Sequence, residues 1–162
     1  MNGKIAAGSI VAVAALVGGA VWYLQNYAFY TPVNFTPGSE IALTPITSDT
    51  PEPIAVKDVQ GIDSDSSPLR FRACFTTQMT FATLTEDYKV YDGATPLYAP
   101  RWFTCFDAEK IGAAILSGQA GAFLGQKNIV PNQDNVEIDR VIAVFPDGRA
   151  FAWNQLAPGT EQ

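Results

Sequence analysis

The run from Ile5 to Leu24, inside "AAGSIVAVAALVGGAVWYLQNYAFY" (6–30), constrains this chain more than any other feature. It holds no charged residue and is about as long as a bilayer-spanning helix, roughly 20 residues. It ends in Trp22, Tyr23, Tyr27, Phe29 and Tyr30, aromatic residues of the kind that settle at lipid headgroup level, half dry and half wet. A cleaved export signal is the competing reading, with Gly18-Gly19-Ala20 as its small-residue site. Cleavage there would leave a new terminus beginning Val-Trp-Tyr-Leu with nothing to bury it, so the anchor is favoured. A soluble core helix is disfavoured because no polar stripe interrupts the run. Gly8, Ala12, Ala15 and Gly19 follow at steps of four, three and four. That spacing puts them on one face, where small residues let a second helix approach closely in lipid.

Charge orients the anchor. Lys4 is the only charged residue before Glu40, and the formal net charge of −6 lies almost wholly beyond the apolar run. The positive-inside tendency keeps the N-terminus in the cytoplasm and exports the rest, in a bacterium to the periplasm. An acidic domain repels phosphate backbones, so nucleic acid is disfavoured and none is expected as a partner.

Three regions follow along the chain: an anchor (1–30), a stalk (31–53) and an exported domain (54–162). Pro32, Pro37, Pro45, Pro51 and Pro53 forbid a long helix in the second, which reads as an extended spacer; "EIALTPI" could add a short edge strand. In the third, "PLRFRACFTT" (68–77) alternates as a strand, with Leu69, Phe71, Ala73 and Phe75 on one face and Arg70, Arg72 and Cys74 on the other. A helix is expected over 80–88 behind Thr80, and Asp92-Gly93 marks a turn. "APRWFTCF" (99–106) reads as a second strand. Asp107 caps a helix that runs to about Ser117, with Ile111, Ala114 and Ile115 on one face and Gly118 as its stop. "AGAFLG" reads as a buried strand, and 139–156 as a hairpin around Pro146-Asp147-Gly148. The expected class is α+β: an N-terminal transmembrane helix, then a small, mostly antiparallel sheet with one or two short helices.

Histidine is absent from the chain. That removes Ser-His-Asp and Cys-His nucleophile arrangements, ordinary zinc sites and histidine-ligated haem. No P-loop or dinucleotide fingerprint is present. Cys74 and Cys105 are the only cysteines. In an oxidising compartment a disulfide between them is favoured over two free thiols; a copper(I) site with Met79 is a third reading, without supporting spacing. The polar stretch 61–72 begins "GIDSDS" and opens like a calcium loop at Asp63 and Asp65. Counted from Asp63, however, its sixth position is Pro68 and its twelfth Cys74, where glycine and glutamate are needed. A turn entering the strand is the simpler reading. Asp63, Asp65, Arg70 and Arg72 stand as candidate contacts for a partner or ligand, or for one another.

At "YLQNYAFY", "SPLRFRACF", "APRWFTCFDAEKIGAA" and "VIAVFPDGRAFAW" the chain resembles an uncharacterised family of single-pass alphaproteobacterial membrane proteins. The resemblance covers most of the chain. It implies an anchored protein with a small extracytoplasmic domain, and no activity or catalytic residue. The combined expectation is a non-catalytic inner-membrane protein that needs no cofactor. It would contact the lipid bilayer and another membrane protein, as accessory subunit or assembly factor of a complex, a respiratory oxidase being one example. The rival is a periplasmic ligand-binding or enzymatic domain on an anchor.

Overall fold

The computed structural model describes residues 2–131 and 136–159. Helix α1 (Gly3–Tyr23) carries the apolar run, and a wider π-helical turn (Leu24–Ala28) extends it. Together they form the one described helix long and apolar enough to cross a membrane, and none of its residues is buried. Such a helix is a membrane anchor or an export signal.

Eight strands follow among the described residues: β1 (Thr31–Pro32), β2 (Ala42–Leu43), β3 (Glu52–Pro53), β4 (Val56–Asp63), β5 (Arg72–Thr77), β6 (Gly121–Gln126), β7 (Ile138–Val144) and β8 (Arg149–Leu156). Two helices lie between β5 and β6: α2 (Phe81–Asp87), capped by Thr80, and α3 (Ala108–Leu116), capped by Asp107. The main sheet runs β1-β4-β5-β8-β7-β6, and every pairing is antiparallel. The fold is therefore α+β, an apolar N-terminal helix followed by an antiparallel sheet domain.

Period-two alternation sends the sheet's side chains into two separate cores. Ala73, Phe75, Phe123, Ile142, Val144, Ala150 and Ala152 face one side, under β2, β3 and α2. Cys74, Ala122, Val141, Ala143, Phe151 and Trp153 face the other, under α3, Phe103 and Phe106. Because both faces are covered, "VIAV" and "AFAW" read as nearly unbroken apolar runs. The alanines keep the sheet surface low where covering elements press on it. Gly148 closes the β7–β8 turn at φ +87°, and a Cβ there would lie 2.6 Å from the Thr77 carbonyl oxygen. Glycine meets both demands at once.

Three expectations need correction. Residues 31–53 are no free stalk. Thr31 and Pro32 pair with Asp63 and Ile62, the Val33 N–H donates to Gly61, and the Phe35 ring covers Gly61. Ile41, Leu43 and Thr44 are buried in the first core. Proline forbids a helix here but not edge pairing, where a missing N–H costs little. The folded unit thus begins well before Ile54. Second, 99–106 is a run of turns. Phe103 and Phe106 point inward while Trp102 and Cys105 stay exposed, a spacing of three that a strand cannot produce. Third, Arg72 does not lie on an outer face, because α3 and its preceding loop cover that side of β5. The first part of "PLRFRACFTT" is a single 3-10 turn (Pro68–Arg70) rather than strand. β4 was missed because "VKDVQGID" is mostly polar and kinks where Asp58 adopts φ +54°.

The burial of Leu43 tests the first correction. In the full chain in detergent, Leu43→Ala should cost about 2–5 kcal/mol of stability, the range for a leucine truncated in a packed core. Ile46→Ala, at an exposed position of the same segment, should stay within about 0.5 kcal/mol. Equal, small effects on thermal unfolding would mean that the segment is only a spacer.

Candidate functional site

One end of the domain is built around the last turns of the apolar helix. A helix leaves its final carbonyls without internal partners. Here the Trp102 indole N–H donates to the Asn26 carbonyl. The indole stacks on Tyr27 at 6.1 Å between centroids and meets Tyr30 edge-on at 6.2 Å. Tyr27 stacks in turn on Tyr23 at 5.8 Å. A side chain far along the chain thus completes the helix end.

What holds Trp102 there is the core behind it. Cys74 on β5 and Cys105 on the loop are disulfide-bonded, with Cα atoms 6.3 Å apart. Phe103 and Phe106 are buried on the same face of the sheet, and Phe106 meets Trp153 edge-on at 6.3 Å. Cys74 is 8% exposed, whereas Cys105 is open to solvent. Met79 packs against the core on the opposite face. Cys74, Cys105 and Met79 are therefore not gathered, and the copper(I) reading loses its geometry.

Three arginines, Arg70, Arg72 and Arg140, pack over aromatic rings. Arg72 is 3% exposed, and its guanidinium is consumed by backbone. Nε donates to Leu97 at 2.8 Å, Nη1 to Leu69 and Phe71 at 2.8 and 2.6 Å, and Nη2 to Tyr98 at 3.0 Å. The plane lies 5.7 Å from the Phe106 ring centroid. Burial pulls its pKa down to about 10, so it stays cationic at neutral pH. The fork locks the 97–98 segment to the start of β5, a structural task that uses four of its five N–H donors. Arg70 lies 5.3 Å from the Phe29 ring and 5.5 Å from the Tyr30 ring. Arg140 lies 3.8 Å from the Phe71 ring and donates through Nε to Asn154.

The polar stretch 63–68 turns inward on itself. The Asp63 carboxylate accepts the Ser64 N–H at 2.8 Å; burial raises its pKa, outweighing that bond. Ser64 and Ser66 share a hydroxyl bond, and Ser67 accepts the Leu69 N–H to cap the 3-10 turn. Asp63 and Asp65 form no ion pair with Arg70 or Arg72 among the described residues. Among those residues no set of three or more Cys, Asp or Glu is placed to hold a metal. The stretch borders an open hollow of about 400 Å³ with Arg140 and Asn154. A second groove, about 620 Å³, runs between Cys105, Lys110, Ile111, Phe145, Arg149 and Phe151. Lys110 and Arg149 are paired there with Asp107 and Asp147.

Gly8, Ala12, Ala15 and Gly19 lie on the uninterrupted α1 within a wedge of about 60°, at 3.6 residues per turn. A Cβ added at Gly8 or Gly19 would touch nothing, so that face is open. Sequence reasoning missed Trp102, Arg140 and Asn154 as site residues. The step of three from Phe103 to Phe106 signalled the loop; nothing local marked the other two.

Fold and junction define a class: a two-sided α+β sheet domain seated against the end of a bilayer-length apolar helix. Within that class, a family described only as a family of unknown function, DUF6446, matches residues 41–162, and the chain belongs to it. The match begins at Ile41, where the chain enters the first core. No curated protein and no solved structure matches the chain.

Two substitutions probe the junction. Arg72→Met strands four carbonyl acceptors and should cost about 3 kcal/mol or more, since each unsatisfied buried group costs about 1–3. Arg72→Lys keeps the charge without the fork and should recover only part of the loss. Denaturant unfolding of the full chain reads both, and equal stability of all three proteins would refute the fork's role. The double variant Cys74→Ala/Cys105→Ala should lose roughly 3–4 kcal/mol in the chain-entropy account. Its unfolding should become indifferent to reductant, whereas the parent should weaken when reduced.

Proposed function

We propose that this chain is a non-catalytic, membrane-anchored protein whose domain is exported and which serves an inner-membrane complex as accessory subunit or assembly factor. The observation that carries the reading is the junction. Trp102, Tyr27 and Tyr30 join helix and domain, and the Cys74–Cys105 bond fixes the loop that makes the contact. A helix tied in this way presents its small-residue face and the domain in one fixed relation. A partner that crosses the bilayer can then be recognised in lipid and above it at once. A simple tether gains nothing from such coupling. The disulfide supports the exported orientation, since such bonds persist in oxidising compartments. Lys4 on the other side supports it too.

The second reading, a domain that binds a small ligand or acts on one, draws on the hollow beside Asp63 and Arg140. Two of its polar groups are tied to the fold: Asn154 accepts from Arg140 and donates to the Pro68 carbonyl. The hollow is open, and ligand sites usually enclose most of the ligand's surface.

Purification of tagged full-length protein in mild detergent tests the proposal. A stoichiometric membrane partner is expected, and an oxidase subunit would make the complex respiratory. Replacing Gly8, Ala12, Ala15 and Gly19 with leucine should deplete that partner while insertion survives. Permuting Val11, Val13, Leu16 and Val17 should not. Recovery of the chain alone in several detergents would refute the partner role. Alkaline phosphatase fused after Gln162 should be active, and a silent fusion would reverse the orientation.

A further inference from the structure

We infer that the domain makes a second membrane contact, seated on phospholipid headgroups through Trp102, Arg101 and Arg70. The inference rests on the reading that α1 stays in a bilayer. Depth is the first argument. The uncharged run from Ile5 to Leu24 rises about 30 Å at 1.5 Å per residue, close to the roughly 30 Å of bilayer hydrocarbon. The turn Leu24–Ala28 therefore falls in the headgroup layer. Trp102 bonds Asn26 and stacks on Tyr27, so it lies at that same depth.

The second argument is what the loop brings there. Trp102 keeps 38% of its surface exposed although its N–H is already satisfied. That leaves a flat apolar ring in the layer where tryptophan is most at home. Arg101 beside it is exposed and, among the described residues, has no ion pair. Arg70 sits over Phe29 and Tyr30, the two residues that leave the helix. It too forms no ion pair among the described residues, and it keeps part of its surface exposed. In a chain of net charge −6, two uncompensated guanidinium groups gather where the acidic domain meets the membrane. The anion that this layer supplies is lipid phosphate, which a guanidinium fork binds well. Charge and position both select headgroups over an apolar protein surface.

The third argument is rigidity. The loop is clipped to β5 by the disulfide and held by buried Phe103 and Phe106. Little ordering entropy is left to lose when it meets the membrane.

The test uses the full chain in lipid nanodiscs containing phosphatidylglycerol, in a Trp22→Phe background. Trp102 and Trp153 then emit, and Trp153 is fully buried. Lipid carrying a nitroxide on its headgroup should abolish the Trp102 component, while soluble acrylamide should leave it nearly intact. Adding Trp102→Phe leaves only Trp153, whose emission should not respond to either quencher and which reports that the fold is kept. Arg70→Gln/Arg101→Gln should retain fewer phosphatidylglycerol molecules than the parent in native mass spectrometry from detergent, with Trp153 emission unchanged. Alkaline carbonate extraction separates the two ways of failing. Release of the chain would overturn both the seat and the anchor. A chain that stays embedded while Trp102 ignores the headgroup nitroxide, or while the arginine variant retains as much lipid as the parent, would overturn the seat alone.

Discussion

One covalent bond decides where the helix-facing half of this domain can go. The Cys74–Cys105 disulfide fastens the Pro100–Phe106 loop to β5, a strand in the middle of the main sheet. With the loop fixed, Phe103 and Phe106 enter the second core and Trp102 is turned outward to the helix end. Cut free, the loop would be a short run of turns between Pro100 and the cap of α3. The aromatic contacts that join helix to domain would then depend on weak stacking, each pair worth only about 0.5–1.5 kcal/mol beyond its burial.

Arg72 reinforces this arrangement from the backbone side. Its four carbonyl partners belong to both the approach to β5 and the 97–98 segment. The charge is buried with donors matched to acceptors and without a carboxylate, a case in which hydrogen bonds rather than an ion pair offset desolvation. Arg70 and Arg140 are treated differently by the fold. Each lies over an aromatic ring, yet Arg140 is tied to Asn154, while Arg70 forms no ion pair among the described residues and sits over Phe29 and Tyr30 where the chain leaves the helix. The three arginines thus differ: Arg72 ties backbone segments together, Arg140 stacks on Phe71, and Arg70 covers the residues that leave the helix.

The corrections share a cause. Residues 31–53 looked like a spacer because proline and threonine dominate their composition. The decisive residues there, Ile41 and Leu43, are few, and the core that receives them comes from β5, β7 and β8. The loop 99–106 looked like a strand because its aromatics are dense; only the positions of Phe103 and Phe106 against a distant sheet reveal the step of three. Asp63 and Asp65 looked available because they stand among serines. In the fold, Asp63 and the three serines bond to their own turn and pair with neither Arg70 nor Arg72.

The sequence by itself determined the apolar helix, since length and absence of charge suffice, and the α3 and β7–β8 elements, whose caps and turns are local. It also determined what chemistry is excluded, because a chain without histidine lacks that residue in any conformation. Tertiary structure alone decided that the domain begins near Thr31, that Arg72 is internal, and that Trp102 closes the helix end across 76 residues of chain. Each of these depends on contacts between segments far apart in sequence, whose energies come from burial and pairing that no local pattern encodes.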